Sequence, residues 1–144
     1  RRVIKPEGRL LAAFIPRLSG ARGIIERATH NPHHVGLKTL PKLLATGVFA
    51  NESDEGFQEG WYPTQSDARA LFEGAGFTEL AFASLRGLGA GQEQPLLDLQ
   101  YHRPKLYESA MEAIRETAEE PAVVDSGGHA VWVGRARSTG PNPS

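Results

Sequence analysis

Several groups of residues in this 144-residue sequence have the types and spacing to do chemistry. Gly87, Gly89 and Gly91 form G-x-G-x-G directly after an apolar run, the shape of a loop whose backbone N–H groups hold a cofactor phosphate. The surroundings disagree. Arg86 precedes the loop, Gln92 to Pro95 is a poor helix start, and no strand ending in an acidic residue follows at the usual distance, so a plain loop after a strand fits better. His30, His33 and His34 offer imidazole nitrogens to a metal. A zinc site needs a complete ligand set drawn from elsewhere in the chain as well, and Asn31-Pro32 makes this stretch read as a solvated turn. His129, at the head of a predicted strand, reads as a hydrogen-bonded structural residue before it reads as a base. Trp61 and Tyr62 stand at a loop–helix junction, where aromatic rings either wall a substrate pocket or pack beneath the preceding segment, and both readings stay open.

Asp125-Ser126-Gly127-Gly128 resembles the nucleophile segment of chymotrypsin-like serine proteases. That chemistry needs a histidine base and an oriented acid converging on the serine. No matching histidine motif is present, and the chain is too short and too helical for a double β-barrel, so the match reads as coincidence. Bulk composition narrows the field further. Sixteen Lys and Arg stand against 17 Asp and Glu, a net charge of −1, which argues against nucleic acid or an anionic membrane as the main partner. Cysteine is absent, so disulfides and thiolate catalysis are excluded. No apolar run has the length of a membrane span and no signal-peptide pattern opens the sequence, so a cytoplasmic protein is expected.

The elements that must position these residues follow from periodicity and punctuation. Lys5-Pro6-Glu7-Gly8 is a turn in which Pro6 presets φ and Gly8 can take a positive φ. The run Leu10 to Ile15 has no polar alternation, which predicts a strand at 9–15 covered on both faces. Gly20 to Ala28 is a short helix with Leu18, Ile24, Ile25 and Ala28 to pack, and Leu37 to Thr46 is a second, with Pro41 in its first turn and Gly47 closing it. Asn51 to Gly60 is acidic and glycine-containing, hence a surface loop. Thr64 and Asp67 form a capping box before an apolar stripe at Ala68, Leu71, Phe72 and Ala75, and Gly76 sits at the left-handed C-terminal position. A strand at 77–85, a glycine loop, a helix over 104–119 ended by Pro121, and a strand at 129–136 complete the domain; 137–144 reads as a disordered tail.

Arg2-Val3-Ile4-Lys5-Pro6-Glu7-Gly8-Arg9-Leu10 resembles the phrase R-V-L-K-P-G-G-R-L that precedes the fifth strand in class I S-adenosylmethionine-dependent methyltransferases, with Glu7 in place of the first glycine. The capped stretch Tyr62 to Phe77, ending Ala75-Gly76-Phe77, is similar to that family's helix before the sixth strand. Gly128-His129-Ala130-Val131-Trp132-Val133-Gly134-Arg135 resembles a closing pattern in a subset of its members. The resemblance covers roughly residues 1 to 136. It implies an α/β, incomplete Rossmann-like fold: strands five to seven of a mixed sheet, with 129–136 antiparallel between 9–15 and 77–85, and residues 16–63 as a helical insert forming a substrate lid.

The family's cofactor half, with its glycine loop and its acidic residue for the ribose, has no counterpart here. The resemblance therefore implies that S-adenosylmethionine serves the complete enzyme and does not bind this chain alone. It implies a small organic acceptor as substrate, with Arg17, Trp61 and Tyr62 facing one cavity beyond the end of the first strand. An aromatic pair with one cation would suit a planar or anionic molecule. Because the chain opens on Arg1 just ahead of a turn and a buried strand, coding sequence upstream is expected. Two further readings compete: a non-enzymatic interaction module that pairs through an exposed sheet edge, and a nucleotide-dependent oxidoreductase fragment supported by the glycine loop alone.

Overall fold

The computed structural model describes residues 4–30, 36–50 and 59–137. It opens on the Lys5–Gly8 turn, closed by the Gly8 N–H donating to the Lys5 carbonyl at 2.9 Å. The positive φ falls on Glu7 (62°) and not on Gly8 as expected. Gly8 is needed for space instead, since a Cβ there would lie 2.7 Å from Ile4 Cγ2 and 2.8 Å from the Lys5 oxygen. Glu7 is thus the position at which the methyltransferase phrase has its first glycine. A non-glycine residue in the left-handed region costs about 1–2 kcal/mol. Against that relief, Glu7→Gly adds unfolded-state entropy worth roughly 0.5–1 kcal/mol and removes an exposed 3.5 Å pair with Arg135. The expected result is a net stabilisation of about 0.5 kcal/mol, read as a raised urea midpoint at unchanged slope; a destabilised Glu7→Gly chain would contradict it.

The turn delivers β1 (Arg9–Phe14). It pairs with β5 (Ala130–Ala136), which also pairs with β4 (Phe77–Ser84), giving the order β1-β5-β4. Leu10 lies opposite Gly134, Phe14 opposite Ala130, and Phe82 opposite Trp132. Both pairings are antiparallel. The insertion of the last strand between the other two is as expected, but "mixed" needs correction: β1 and β4 run parallel to each other without touching, so no parallel ladder forms among the described residues. β1 is also not covered on both faces. It lies at the sheet edge and alternates, with Leu11 68% exposed while Leu10 and Phe14 pack on the core.

The core is built around Trp132, which is fully buried. Its ring stacks on Phe72 at 4.3 Å and meets Phe77 edge-on at 6.3 Å, while Phe14 and Phe82 meet edge-on at 5.6 Å. Its Nε1 donates to Glu79 Oε2 at 2.9 Å, and Glu79 also accepts Arg69 Nε at 2.9 Å and Nη2 at 3.2 Å. A pairing irregularity between Glu79 and Ala81 turns Leu80 toward solvent and brings Phe82 and Ser84 inward.

Helix α3 (Gln65–Gly74) covers this face with Ala68 and Phe72. Its cap is the one predicted. The Asp67 N–H donates to Thr64 Oγ1 at 3.1 Å, the Thr64 N–H donates to Asp67 Oδ2 at 2.9 Å, and Gly76 follows with φ 86°. Three helices fill the stretch between β4 and β5: α4 (Glu93–His102), α5 (Pro104–Glu116) and α6 (Pro121–Ser126). Two expectations fail here. Gln92 to Pro95 does start a helix, although no side chain caps it. Pro121, expected only to stop a helix, also opens the next one in its first turn, where its missing N–H is not needed.

Residues 16–63 carry helices and a small hairpin. α1 (Arg17–His30) is longer than the expected 20–28. α2 (Gly36–Thr46) holds Pro41 inside the helix and not in its first turn. β2 (Val48–Ala50) pairs antiparallel with β3 (Glu59–Trp61), a hairpin the periodicity did not predict; residues 51–58 of the predicted loop lie outside the described residues. This part has its own cluster of Ala21, Ile24, Leu43 and Phe49, with Leu40 and Tyr62 against it, while Leu18 and Ile25 are exposed. At the other end Arg137 is tied down, its N–H bonded to Gly76 O at 3.0 Å and its Nη2 to Phe77 O at 3.0 Å. The rest of the predicted tail lies outside the described residues. Among the described residues no helix is long and apolar enough to cross a membrane.

Candidate functional site

A cavity of about 210 Å³ opens where β1 and β4 end and β5 begins. Ile15 reaches it from beyond β1, Arg86 from beyond β4, and Gly128 and His129 from the turn into β5. One wall is a continuous face of α1. Ser19, Arg22, Gly23, Glu26 and Arg27 recur at i, i+3, i+4, i+7 and i+8, the spacing of one helical stripe. The other stripe of α1, Ala21 and Ile24, is buried, so packing of the insert decides which residues face the cavity.

Hydrogen bonds hold this end of the sheet. Ser19 Oγ donates to Asp125 O at 3.2 Å and accepts the Gly128 N–H at 3.1 Å, which pins α1 to the turn before β5. Ser84 Oγ donates to Gly127 O at 3.1 Å and accepts the Gly87 N–H at 2.9 Å. Gly128 has φ 90°, a value that favours glycine. Tyr62 forms a further part of the lining, and Gly20 lets its ring come close, since a Cβ at Gly20 would lie 2.7 Å from Tyr62 Cε1.

The three predicted site residues are neighbours but do not share this cavity. All approach Gly47, whose added Cβ would meet Tyr62 O at 2.5 Å, Arg17 Nη2 at 2.9 Å and Trp61 Nε1 at 3.2 Å. Tyr62 lines the 210 Å³ cavity; Trp61 lines a separate apolar one of about 100 Å³ with Ala12, Ala13, Phe14, Pro63 and Leu71. Consecutive residues of an extended segment point to opposite sides, so an adjacent aromatic pair leaving β3 is divided between two sites. The expectation of one shared cavity is corrected accordingly. Arg17 lines neither cavity. Its Nη2 bonds Asp67 Oδ2 at 2.6 Å, Nε bonds Tyr62 O at 3.3 Å and Nη1 bonds Leu44 O at 3.4 Å. The predicted substrate cation is a clasp joining α1, α2, the end of the hairpin and α3.

Asp67 is held below its ordinary pKa of 3.8, first by the Thr64 backbone N–H and hydroxyl, with the charge of Arg17 adding a smaller share and desolvation opposing. A depressed folded-state pKa contributes stability that is present above the unfolded value and lost as pH falls through the folded one. The clasp therefore loosens below pH 3.8 and is intact at neutral pH. Arg17→Ala removes three hydrogen bonds at a side chain only 15% exposed and is expected to cost about 1–3 kcal/mol at pH 7, with the deficit shrinking in acid. Denaturation at several pH values checks this; a deficit independent of pH would show that the pair with Asp67 contributes nothing and that Arg17 acts through packing and its bonds to the Tyr62 and Leu44 carbonyls.

The other chemical motifs resolve into structure. In the glycine loop the Gly87 N–H goes to Ser84 Oγ, Gly89 N–H to Arg86 O at 3.0 Å, Ala90 N–H to Gly87 O at 3.3 Å, and Gly91 N–H to Glu93 Oε1 at 3.3 Å. None of these amides is left for a phosphate. A Cβ at Gly89 would lie 3.1 Å from Ile114 Cδ1 and 3.2 Å from Leu96 Cδ1, so the loop is glycine-rich to pack against α4 and α5. Ser126 Oγ donates to Ala122 O at 2.6 Å inside α6. His30 ends α1, while His33 and His34 lie outside the described residues, and no metal-holding cluster occurs among the described ones. The His129 carbonyl accepts the Leu85 N–H at 2.8 Å, and the residue also lines the cavity.

Sequence reasoning missed Arg22, Gly23, Glu26, Arg27 and Arg86. The signal for the first four was the polar i, i+3, i+4 stripe of α1, obscured by starting that helix at Gly20. No protein-family model matches the chain, and no curated protein is detectably similar to it.

Proposed function

We propose that this chain is the C-terminal, acceptor-side portion of a class I S-adenosylmethionine-dependent methyltransferase with an incomplete Rossmann-like fold, acting on a small organic molecule. The observation that carries the reading is the strand order β1-β5-β4, in which the last strand inserts antiparallel between two strands that run parallel to each other. That is the arrangement the family resemblance implies for strands five, seven and six. Two local features support it: the positive φ at Glu7, where the family phrase has glycine, and the capped helix ending at Ala75-Gly76-Phe77. The 210 Å³ cavity lies beyond the ends of β1 and β4, the side on which ligands gather in open α/β sheets.

The residues present do not fit the cofactor. The amides of Gly87, Gly89, Ala90 and Gly91 are bonded within the chain, so no step is routed through the cofactor here. Methyl transfer asks chiefly that donor and acceptor be held in line, and orientation supplies much of the rate. The contribution of this chain would be to hold the acceptor between α1 and the sheet end.

The direct test is to read the coding DNA upstream of Arg1, express the continuous product and measure transfer of a labelled methyl group. An in-frame strand, glycine loop and helix with transfer activity is the expected result; a start codon at that position, or micromolar binding of S-adenosylmethionine by the 144-residue chain alone, would overturn the reading. A second reading, a non-enzymatic module pairing through a sheet edge, is favoured by the outer side of β1, which pairs with no strand among the described residues, and the exposed Leu11. The same sequencing result decides between them.

A further inference from the structure

We infer that the 210 Å³ cavity takes a small planar organic anion, its carboxylate or phosphate held by Arg22 and Arg27 beside the ring of Tyr62. The inference deepens the proposed function, and rests on it only in naming this anion the methyl acceptor. Three arginines, Arg22, Arg27 and Arg86, line the cavity against one carboxylate, Glu26. They are not equivalent. Arg86 is paired with Glu93, whereas Arg22 and Arg27 make no hydrogen bond or ion pair among the described residues. Glu26 lies one turn beyond Arg22 yet forms no ion pair with it, so it subtracts from the local charge without consuming either cation.

The positions of these arginines are specific. Arg27 folds back along α1 over Gly23, with Nη1 3.5 Å from where a Cβ at residue 23 would be. That is ordinary van der Waals distance, so the guanidinium packs along the cavity face of the helix at this position. At Gly20 the demand is stricter, since any Cβ there would overlap the Tyr62 ring. A guanidinium offers a planar fork of donors that matches a carboxylate or phosphate edge, which a point-charge ammonium does not. The cavity has room for a single ring with its anionic substituent, and a neighbouring hollow of about 510 Å³ shares Arg22, Glu26 and Arg86 with it.

The test uses the 144-residue chain, isotopically labelled, titrated with benzoate, phenyl phosphate and the neutral benzamide, with amide shifts read at Gly20, Gly23 and Tyr62. Benzoate or phenyl phosphate is expected to bind at least about tenfold more tightly than benzamide, and whichever binds more tightly identifies the anion as carboxylate or phosphate. Arg22→Ala and Arg27→Ala should each weaken that anion about five- to tenfold, Arg27→Lys should restore part of the loss, and Arg9→Ala, on β1 and outside the cavity, should change nothing. Benzamide binding equal to the anions, no binding of any probe, or anion binding untouched by Arg22→Ala and Arg27→Ala would each overturn the inference. Because these titrations need no methyl donor, the two proposals can fail separately. Anion binding without upstream methyltransferase sequence removes the enzyme and keeps the site; methyl transfer to neutral acceptors alone does the reverse.

Discussion

Replacing Trp132 with alanine is expected to leave the chain largely unfolded at 25 °C. The side chain is fully buried on the central strand and belongs to the main hydrophobic cluster. Phe72 from α3 stacks on it, Phe77 from β4 meets its edge, and Glu79 accepts its indole N–H. Truncating a buried tryptophan costs about 3–5 kcal/mol. Whole domains are stable by roughly 5–15 kcal/mol, and small ones lie at the low end. A three-stranded sheet with its hydrophobic residues split into two clusters has little reserve against such a loss.

Gly134 gives a second handle on the same packing, because any Cβ there would overlap the Trp132 ring. Gly134→Ala should therefore be destabilising by about 1–3 kcal/mol or more through overpacking, with no group deleted. Trp132→Phe keeps most of the apolar volume and loses the bond to Glu79, and should fall between the parent and Trp132→Ala. Urea denaturation followed by far-UV circular dichroism orders the variants. A Trp132→Ala chain within about 1 kcal/mol of the parent would mean that the cluster around Trp132 does not carry the fold.

The second large effect concerns association. β5 satisfies one side of β1, and no described strand satisfies the other. On β1 itself Leu11 is 68% exposed, and Leu71 (52%) and Trp61 (46%) line the apolar cavity that also borders Ala12, Ala13 and Phe14. From Leu10 to Phe14 the strand carries neither charge nor proline, the usual guards of an edge. The 144-residue chain is expected to self-associate through this edge, with concentration-dependent sedimentation. Leu11→Lys, placed on a side chain already in solvent, should weaken association by about tenfold or more while preserving the fold. A concentration-independent monomer with strongly protected amides at residues 10–14 would remove both this prediction and the physical case for a missing neighbouring strand.

What the sequence determined by itself was whatever is encoded over a few neighbouring residues. The capping box at Thr64 and Asp67, the left-handed glycines at 47 and 76, and the three strands of the sheet are all read from local chemistry. The position of β5 between its neighbours came from resemblance, not periodicity. Failures cluster where a local signal has two uses. Pro121 ends one helix and begins the next, and Gly8, expected to take the positive φ of its turn, is needed for space while Glu7 takes the φ.

The site was decided by tertiary structure alone. Arg17 is taken out of play by a carboxylate 50 residues away, and Trp61 and Tyr62 are sent to different cavities by the alternation of an extended segment. Arg22 and Arg27 reach the cavity because Ala21 and Ile24, on the other stripe of the same helix, are buried against the insert's own cluster. Which stripe of a helix is buried depends on what folds over it, and that partner lies too far along the chain for local periodicity to identify.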